Sequence, residues 1–432
     1  MSLRFCSLLC AVAAMASLPA TAAEADRVVV HAGHLLDVDG GTMLADQAVT
    51  IERGHVVSVK PWSAASAGGS KVIDWTGYTV VPGLMDMHTH LADEPESADP
   101  GAALKSTPAR DAFIGARNAR TTLRAGFTTV RDVGVYRGFA DIALRDAINA
   151  GYVPGPRMFV AGAYITIPGG GGEITGLPAG TVVPDEFRRG VSKGPDDVRK
   201  HVDFILDHGA DLIKVIATGA VLTDGTEPGQ SEYTEEEIHA AVTEAARRGK
   251  FVAAHAHGAE GIKRAVRAGV RSVEHGSLID DEGIALMKQR GTWLVADIYD
   301  GDYIDSVGRS EGWSAEKIRK NVETTEAQRE GFRKAVKAGV HIAFGTDAGV
   351  YPHGDNARQF AYMVRYGMTP LQAIRAATID AARLLGREKE LGSIAPSKAA
   401  DMVAVACDPI KDVECLRQVR GVMKSGETVS LD

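Results

Sequence analysis

Val81-Pro-Gly-Leu-Met-Asp-Met-His-Thr-His-Leu91 is the stretch that decides how this chain folds, because an apolar strand here ends in a pair of histidines. Side chains two residues apart in a strand leave the same face. His88 and His90 therefore point the same way at the carboxyl end of the strand. Histidine is the commonest side-chain metal ligand. The pattern indicates either a metal site or a strand end with two hydrogen-bonded surface histidines, and this stretch alone does not separate the two.

Predicted strands and helices alternate regularly from this stretch onward. The eight predicted strands cover residues 81–87, 127–131, 157–161, 211–217, 251–256, 272–275, 293–298 and 341–344. The predicted helices cover residues 109–125, 138–150, 195–208, 234–248, 259–268, 280–290, 315–338 and, at the end, about 355–366 and 370–386. Eight strand–helix units predict an α/β fold with a parallel sheet, and eight is the number that closes into a (β/α)8 TIM barrel. An open doubly wound sheet is the alternative, but no glycine-rich dinucleotide loop follows the first strand.

Both ends of the chain carry short β-strand patterns. The predicted strands are Arg27–His31, Gln47–Ile51, His55–Lys60, Lys71–Asp74 and Tyr78–Val81 near the start, and Met402–Ala406, Val419–Lys424 and Thr428–Leu431 near the end. We therefore predict one small β-sandwich made from both ends and interrupted by the barrel. The predicted boundaries are a signal peptide at 1–23, the sandwich at 24–81 and 391–432, and the barrel at 82–390, with Pro82-Gly83 as the hinge.

The composition is that of a soluble globular enzyme. Of the 432 residues, 45% are hydrophobic and 24% are charged. The formal net charge of −8 argues against a nucleic-acid partner, since phosphate binding needs a clustered basic surface. After the first residues no segment reaches ~20 consecutive apolar residues, so no membrane-spanning helix is predicted.

Residues 1–23 have the pattern of a secretory signal peptide. Arg4 provides the charged start, an apolar run follows, and Ala20-Thr21-Ala22 fits the small-residue cleavage site. Cleavage near Ala22 or Ala23 predicts an exported protein, periplasmic or secreted. A lipoprotein anchor at Cys10 is the weaker alternative, because Leu9 occupies a position where a small residue is expected.

The two remaining cysteines, Cys407 and Cys415, leave two alternatives open. An oxidising compartment would allow them to pair across a short loop. They could equally remain as two buried free thiols.

Six residues predicted at one rim of the barrel carry the chemistry. Functional residues of such barrels lie at the carboxyl ends of the strands. The candidates, from strands 1, 4, 5, 6 and 8, are His88, His90, Lys214, His255, His275 and Asp347. Taken one at a time, an interior lysine is usually an ion-pair partner and an aspartate in Gly-Thr-Asp-Ala-Gly usually caps a turn. Together, metal-capable residues from five strands predict a metal centre.

The order His-x-His, Lys, His, His, Asp resembles the amidohydrolase superfamily, in the branch with a carboxylated lysine. The resemblance implies two divalent metal ions, most simply zinc. It assigns His88, His90 and Asp347 to one metal and His255 with His275 to the other. A carbamate formed from CO₂ on Lys214 would bridge them. The metals would lower the pKa of a water and polarise a carbonyl, and Asp347 would act as the general base that later protonates the leaving amine.

The substrate expected from the resemblance is a small-molecule amide. Residues 127–134, 213–219 and 233–238 are similar to those of exported Xaa-Pro-type dipeptidases and ochratoxin-hydrolysing amidohydrolases. Such enzymes cleave an amide whose amine side is an amino acid with a free carboxylate. Tyr136, His257 and Tyr164 are the candidate donors for that carboxylate; each could instead be a rim residue of no special role.

Two features bear on substrate choice. The loop 167–176 has Gly171 or Gly172 where the dipeptidases tend to carry a histidine, which predicts a more open and mobile site for a bulky aryl-acyl substrate. The end of strand 7 could instead select a basic side chain, through Asp297, Tyr299 and Asp300.

Two further functions stay open at this point. One is hydrolysis of cyclic amides, lactones or esters by the same superfamily chemistry. The other is a non-catalytic exported binding protein, which would be expected to lack at least one of the six rim residues. Related barrels often form larger assemblies, so a homo-oligomer is possible, although no motif specifies one.

Overall fold

The computed structural model describes residues 27–94 and 96–432, so the predicted signal peptide lies outside the described residues. The strands are β1 Arg27–Asp37, β2 Thr42–Glu52, β3 His55–Pro61, β4 Lys71–Pro82, β5 Leu84–Thr89, β6 Phe127–Asp132, β7 Arg157–Val160, β8 Tyr164–Ile165, β9 Ile213–Ile216, β10 Val252–Ala256, β11 Ser272–His275, β12 Trp293–Val295, β13 Met402–Val405, β14 Val419–Lys424 and β15 Glu427–Thr428.

Strands from both ends of the chain lie in one seven-stranded sheet. Its order is β15-β14-β13-β4-β1-β2-β3. β13 pairs antiparallel with β4, and β4 pairs parallel with β1, so the two ends meet at β4. Alternate apolar residues of these strands, including Val30, Val49 and Met402, are buried together in one cluster. The last predicted strand, Thr428–Leu431, is wrong in its extent, because the chain stays in a strand only for Glu427–Thr428.

β4 is one continuous strand, Lys71–Pro82, whereas the sequence predicted two separate strands, Lys71–Asp74 and Tyr78–Val81. The register between β1 and β4 shifts between Ala32 and His34, which marks a β-bulge. A side chain at Gly33 would meet the carbonyl oxygen of Thr76 at 1.9 Å. Gly33 thus lets the two backbones approach closely at the bulge. The extra residues of β4 are accommodated there, and the strand continues.

The central part of the chain forms two parallel sheets. One has the order β5-β6-β7 and the other the order β12-β11-β10-β9-β8. Their strands are almost wholly buried, as expected for parallel strands covered by helices. β5 begins at Leu84, directly after Gly83, where a side chain would meet Thr128 Oγ1 at 2.2 Å. The predicted α/β fold with parallel strands is therefore present.

Hydrogen bonds connect the two parallel sheets at both sides. The amide of Asp211 donates to the carbonyl oxygen of Val160 at the end of β7 (2.7 Å). On the other side, the segment 341–348 runs between β12 and β5. Leu294 donates to the carbonyl of His341 and Met87 to that of Phe344, both at 2.8 Å. The predicted eighth strand at 341–344 is wrong as a regular strand, because only isolated bridges form there.

The longer helices agree with the predicted ones to within a few residues. The helices are α1 Ala64–Ala67, α2 Ala102–Lys105, α3 Pro108–Arg124, α4 Ala140–Asn149, α5 Pro195–Asp207, α6 Glu235–Arg247, α7 Ala259–Ala268, α8 Asp281–Arg290, α9 Asp300–Tyr303, α10 Arg309–Glu311, α11 Ala315–Ala338, α12 Arg358–Arg365, α13 Pro370–Ala376 and α14 Ile379–Leu385. The short helices α1, α2, α9 and α10 were not predicted. The predicted helix 370–386 is two helices, because Thr378 is not helical. The carbonyls of Ala376 and Ala377 accept instead from Phe344 and Met85 in the sheet region.

Two further observations concern the covalent frame and the membrane. Cys407 and Cys415 form a disulfide, which decides between the two alternatives left open for these thiols. Among residues 27–94 and 96–432 no helix has the length and the apolar character needed to cross a membrane.

Candidate active site

The histidine pair of the opening stretch meets an aspartate from the far end of the barrel region. Nε2 of His88 lies 3.3 Å and Nε2 of His90 lies 3.0 Å from Oδ1 of Asp347. The opposite ring nitrogens are engaged, since Nδ1 of His88 donates to Glu274 (3.0 Å) and Nδ1 of His90 donates to the carbonyl of Gly134 (2.7 Å). Both Nε2 lone pairs are therefore directed towards Asp347. This is the arrangement that metal-binding histidines adopt.

A second histidine cluster lies beside the first. His255 ends near the tip of β10, and His275 is the last residue of β11. Their ring centroids are 4.5 Å apart, and the ring of His275 is 4.9 Å from that of His88. His257 joins this cluster, with donor nitrogens of the three rings within 4.8 Å of one another. Residues proposed for two metals thus occupy adjacent positions.

Lys214 lies in the same cavity. It is on β9, which comes along the chain after β5, with His88, and before β10, with His255. Lys214 is 2% exposed. Burial lowers the pKa of Lys214 to about 8, outweighing the attraction of Glu274 and Asp347. With this pKa roughly one tenth of the Lys214 side chain is the neutral amine at pH 7. A buried lysine is costly unless it is paired or loses its charge.

Asp347 is held ionised by its neighbours. Burial acts to raise the pKa of Asp347, but the charges and hydrogen bonds of His88 and His90 outweigh it and keep that pKa well below the usual range. Asp347 also has a left-handed backbone (φ 58°), as does His275 (φ 66°). Such a backbone costs a non-glycine residue about 1–3 kcal/mol and is concentrated at functional sites. Both strained residues are candidate ligands.

A buried ion pair supports His88 from behind. Arg131 and Glu274 have no exposed surface, and Nη2 of Arg131 donates to both carboxylate oxygens at 2.8 Å. Burial acts to raise the pKa of Glu274, but the charge of Arg131 and the hydrogen bond from His88 hold it well below the usual range. Nε of Arg131 also donates to the carbonyl of Met87 (2.6 Å). The pair therefore fixes both the ring of His88 and the strand that carries it.

Glu274→Gln is expected to weaken metal binding about 10–100-fold, because the charged acceptor that orients His88 is lost. Leaving Arg131 buried without a carboxylate is also expected to cost about 3–5 kcal/mol of unfolding free energy. Competition with a chelator measures the first effect and denaturant unfolding the second. Glu282→Gln is the matched control, since Glu282 is exposed and pairs only with Lys263. An unchanged metal affinity in Glu274→Gln would contradict the positioning role.

Asp297 plays the corresponding part for His275. Nδ1 of His275 donates to Oδ2 of Asp297 at 3.0 Å. The other carboxylate oxygen accepts from Nε2 of Gln328 on α11 at 2.7 Å. Burial acts to raise the pKa of Asp297, but the charge of His275 and its hydrogen bond lower it below the usual range. His275 is thus oriented with its Nε2 free, as His88 and His90 are.

The three predicted substrate donors all line the same cavity. Tyr136 and Tyr164 have ring centroids 6.1 Å apart, and the hydroxyl of Tyr164 is 3.2 Å from Nδ1 of His90. Burial raises the pKa of both phenols well above the usual value, so both remain protonated donors. His257 has Nδ1 2.7 Å from the hydroxyl of Ser277 and its ring stacks on His275. His257 therefore both lines the cavity and contacts the histidine cluster.

The glycine-rich loop does not show the looseness that the sequence suggested. The amide of Gly171 donates to Glu232 at 2.8 Å, and its carbonyl accepts from Thr223 Oγ1, also at 2.8 Å. A side chain at Gly172 would meet Ile216 and Thr166 at 2.9 Å. Glycine is needed here for close packing, so a histidine has no room and the loop is tied at several points. The expected mobility finds no support in these contacts.

The sequence did not single out Arg131, Glu274 or Gln328. Arg131 and Glu274 are ionisable residues inside predicted strands of the barrel, in Thr-Val-Arg-Asp and Ser-Val-Glu-His. That signal could have marked both as buried and paired, since buried charges require partners. Their pairing spans 143 residues of sequence and becomes visible only in the fold. Gln328 lies on a helix with many polar residues and carries no comparable signal.

The amidohydrolase family matches residues 79–429, so the chain belongs to the amidohydrolase family. The ochratoxinase of Aspergillus niger is 31% identical over 420 residues, which cover 92% of this chain and 85% of that protein. A Xaa-Pro dipeptidase solved with methionine bound in its active site is 38% identical, with a TM-score of 0.87 over 93% of this chain and 99% of that one. A prolidase solved in complex with N-methylphosphonate-L-proline is 30% identical, with a TM-score of 0.86 over 94% of this chain and 99% of that one.

These relatives confirm the predicted superfamily and its nearest branches. The protein is a hydrolase, and the alternative of a non-catalytic binding protein is set aside.

Proposed function

We propose that this protein is a binuclear metal-dependent amidase that cleaves N-acyl amino acids or dipeptides with a free C-terminal carboxylate. The observation that carries the proposal is the convergence of His88 and His90 on Asp347, within 3.3 Å, beside the cluster of His255 and His275. The names of the relatives support this substrate class, because one is an ochratoxinase and another is a Xaa-Pro dipeptidase.

The donor set fits two divalent ions. His88, His90 and Asp347 would hold one, His255 and His275 the other, and a carbamate on Lys214 both. Imidazole nitrogens with carboxylate oxygens suit zinc most simply. When bound, such ions activate a water and polarise the scissile carbonyl.

The residues of the chain have separate tasks in the reaction. Asp347, ionised and adjacent to both imidazoles of the first pair, takes the proton of the attacking water and passes it to the leaving amine. Tyr136 and Tyr164, both protonated, donate hydrogen bonds to the carboxylate on the amine side of the substrate. His257 is the third donor in this group. The buried walls of the cavity exclude bulk water, which strengthens each of these polar contacts.

Architecture and location are part of the same proposal. The two hydrogen-bonded parallel sheets would close as one (β/α)8 barrel at residues 82–390. The sheet from both chain ends would fold as the β-sandwich at 24–81 and 391–432. Export after cleavage near Ala22 or Ala23 agrees with the disulfide between Cys407 and Cys415, since disulfides persist in oxidising compartments.

A hydrolysis screen tests the proposed function. Purified protein would be assayed for metal content and for release of amino acid from N-acyl amino acids and dipeptides that differ in the C-terminal residue. We expect about two metal ions per chain and hydrolysis that a chelator abolishes. Protein that contains no transition metal and is indifferent to chelation would overturn the proposal. Cleavage of lactones or cyclic amides, with none of N-acyl amino acids, would favour the other superfamily chemistry.

A further inference from the structure

Six carboxylates line the cavity that contains the candidate metal centre. Five of them have a partner in the described part of the chain. Glu96 pairs with Lys317 (2.9 Å) and Glu94 with Arg110 (2.7 Å). Asp93 accepts from the amide of Tyr136 (3.3 Å), and Asp297 and Asp347 are bound to histidines as described above. The sixth is Asp300.

Asp300 is buried without a partner. The residue is 5% exposed, and its Oδ1 atom has no hydrogen-bond partner among residues 27–94 and 96–432. It begins α9, three residues after Asp297, and it lines the cavity. Burial first, and then the charges of Asp347, Asp297 and Glu96, raise the pKa of Asp300 well above its usual value. A buried carboxylate in this position is costly unless a cation joins it.

The cavity that Asp300 lines also has an apolar part. Ile304, four residues after Asp300, is buried in one apolar cluster with Val221 and Val350, and all three line the cavity. The backbone beside Asp300 is fixed, because Nδ2 of Asn321 donates to the carbonyl of Gly301 (2.9 Å) and a side chain at Gly301 would meet Thr325 Oγ1. A cavity that combines apolar side chains with a carboxylate suits a methylene stem that ends in a charged nitrogen.

We propose that Asp300 is a specificity residue that binds an organic cation, an ammonium or guanidinium group, carried by the substrate. The proposal rests on the proposed amidase function and narrows its substrates to amides that bear such a cation. The cation has two sources in this class of compound, a lysine-type or arginine-type side chain and the α-ammonium group of a free N-terminus. The apolar part of the cavity favours the side chain. Both are recognised by the same charge-assisted hydrogen bond to the carboxylate.

Three matched substrates separate these sources in the metal-loaded full chain. N-acetyl-alanyl-lysine carries a side-chain cation, alanyl-norleucine carries only the α-ammonium, and N-acetyl-alanyl-norleucine carries neither. We expect one of the two cationic substrates to have a kcat/KM roughly 100-fold higher than that of the neutral substrate, because the neutral compound leaves a buried carboxylate unpaired. In Asp300→Asn this ratio is expected to fall to about one, mainly through a higher KM for the cationic substrate. Comparable kcat/KM for all three, or a ratio that survives in Asp300→Asn, would overturn the proposal.

Asp305→Asn is the matched control. Asp305 lies five residues further along, has half of its side chain exposed and pairs with Arg309 (2.7 Å), so its substitution removes a carboxylate from outside the cavity and the ratio should stay unchanged. Thermal unfolding provides an independent readout. Asp300→Asn is expected to raise the Tm of the ligand-free protein, because it removes an ionisable group that is costly to bury without a partner, whereas loss of a carboxylate with a structural role would lower the Tm.

Calorimetric titration separates failure of this proposal from failure of the proposed function. If none of the three substrates is cleaved, the amidase function is wrong, and binding then decides on Asp300. The three uncleaved substrates then serve as ligands, since they differ in these two cations. Tighter binding of N-acetyl-alanyl-lysine or of alanyl-norleucine than of N-acetyl-alanyl-norleucine, lost in Asp300→Asn, would support the cation site. Equal binding of all three would reject it.

Discussion

Asp347→Asn is expected to lower kcat by about 10²–10⁴-fold while the metals remain bound, which is the range that a lost general base accounts for. Asparagine has the shape of aspartate and retains a ligand oxygen, but it cannot take up a proton near pH 7. Asp347 is suited to this task because the imidazoles of His88 and His90 keep it ionised. Steady-state kinetics on the best substrate of the screen, with metal content measured on the same sample, checks the expectation.

The control for this variant is Asp355→Asn. Asp355 lies in the following segment, is partly exposed and pairs with Arg358 at 3.0 Å, so the same substitution there should leave kcat unchanged. Near-normal hydrolysis by Asp347→Asn with full metal content would show that another group accepts the proton. Loss of activity together with loss of metal would assign Asp347 a ligand role only, so the two measurements are read together.

Local patterns predicted most of the elements that carry the site. Helices 259–268 and 315–338 are observed with the predicted bounds, because apolar spacing and the terminal glycines Gly269 and Gly339 define them locally. The segment 341–347 could not be predicted in the same way. Its hydrogen bonds go to three different parts of the chain, and a side chain at Gly345 would meet Val295 at 2.3 Å. Its irregular path is a consequence of close packing between distant residues.

The candidate site shows the same division. Residue type and position on strand ends sufficed to single out the six rim residues, which the fold brings into one cavity or its immediate wall. The roles of the residues that support the candidate ligands depend on partners far away in sequence. Glu274 supports His88 across 186 residues, and although the sequence marked Asp300 as a candidate, only the fold shows that its Oδ1 has no partner among the described residues. Such facts belong to the tertiary arrangement and have no local signature.

Metal-free protein allows a pH test of the reaction between Lys214 and CO₂, and this test needs no activity assay. Burial lowers the pKa of Lys214 to about 8. The neutral amine, which reacts with CO₂, is then about half of the population at pH 8 and about 1% at pH 6. At a fixed concentration of dissolved CO₂, incorporation of ¹³CO₂ into metal-free protein is therefore expected to be about 50-fold faster at pH 8. An incorporation rate that does not rise with pH would contradict reaction at Lys214.

Lys214→Ala is expected to reduce hydrolysis by more than about 100-fold if Lys214 is the proposed bridging ligand, since removing a ligand should exceed the effect of removing a residue that only orients one. The truncated side chain leaves space in a buried position, which a small carboxylate can enter in place of the proposed carbamate. Added acetate or propionate is therefore expected to restore part of the activity and of the metal content. Kinetics and metal analysis across a series of carboxylate concentrations measure both.

Lys214→Met separates this chemistry from simple damage to the fold. Methionine keeps the apolar stem that Lys214 buries on β9, but it can neither be carboxylated nor leave room for an added carboxylate. It is expected to unfold at a temperature at least as high as the parent chain, because a buried ionisable group is removed, and to stay inactive at every carboxylate concentration. If added carboxylate restores activity to Lys214→Ala but not to Lys214→Met, the bridging role belongs to a carboxylate at position 214. Full activity of the methionine variant would instead make Lys214 a structural residue, with each metal held by its own histidines.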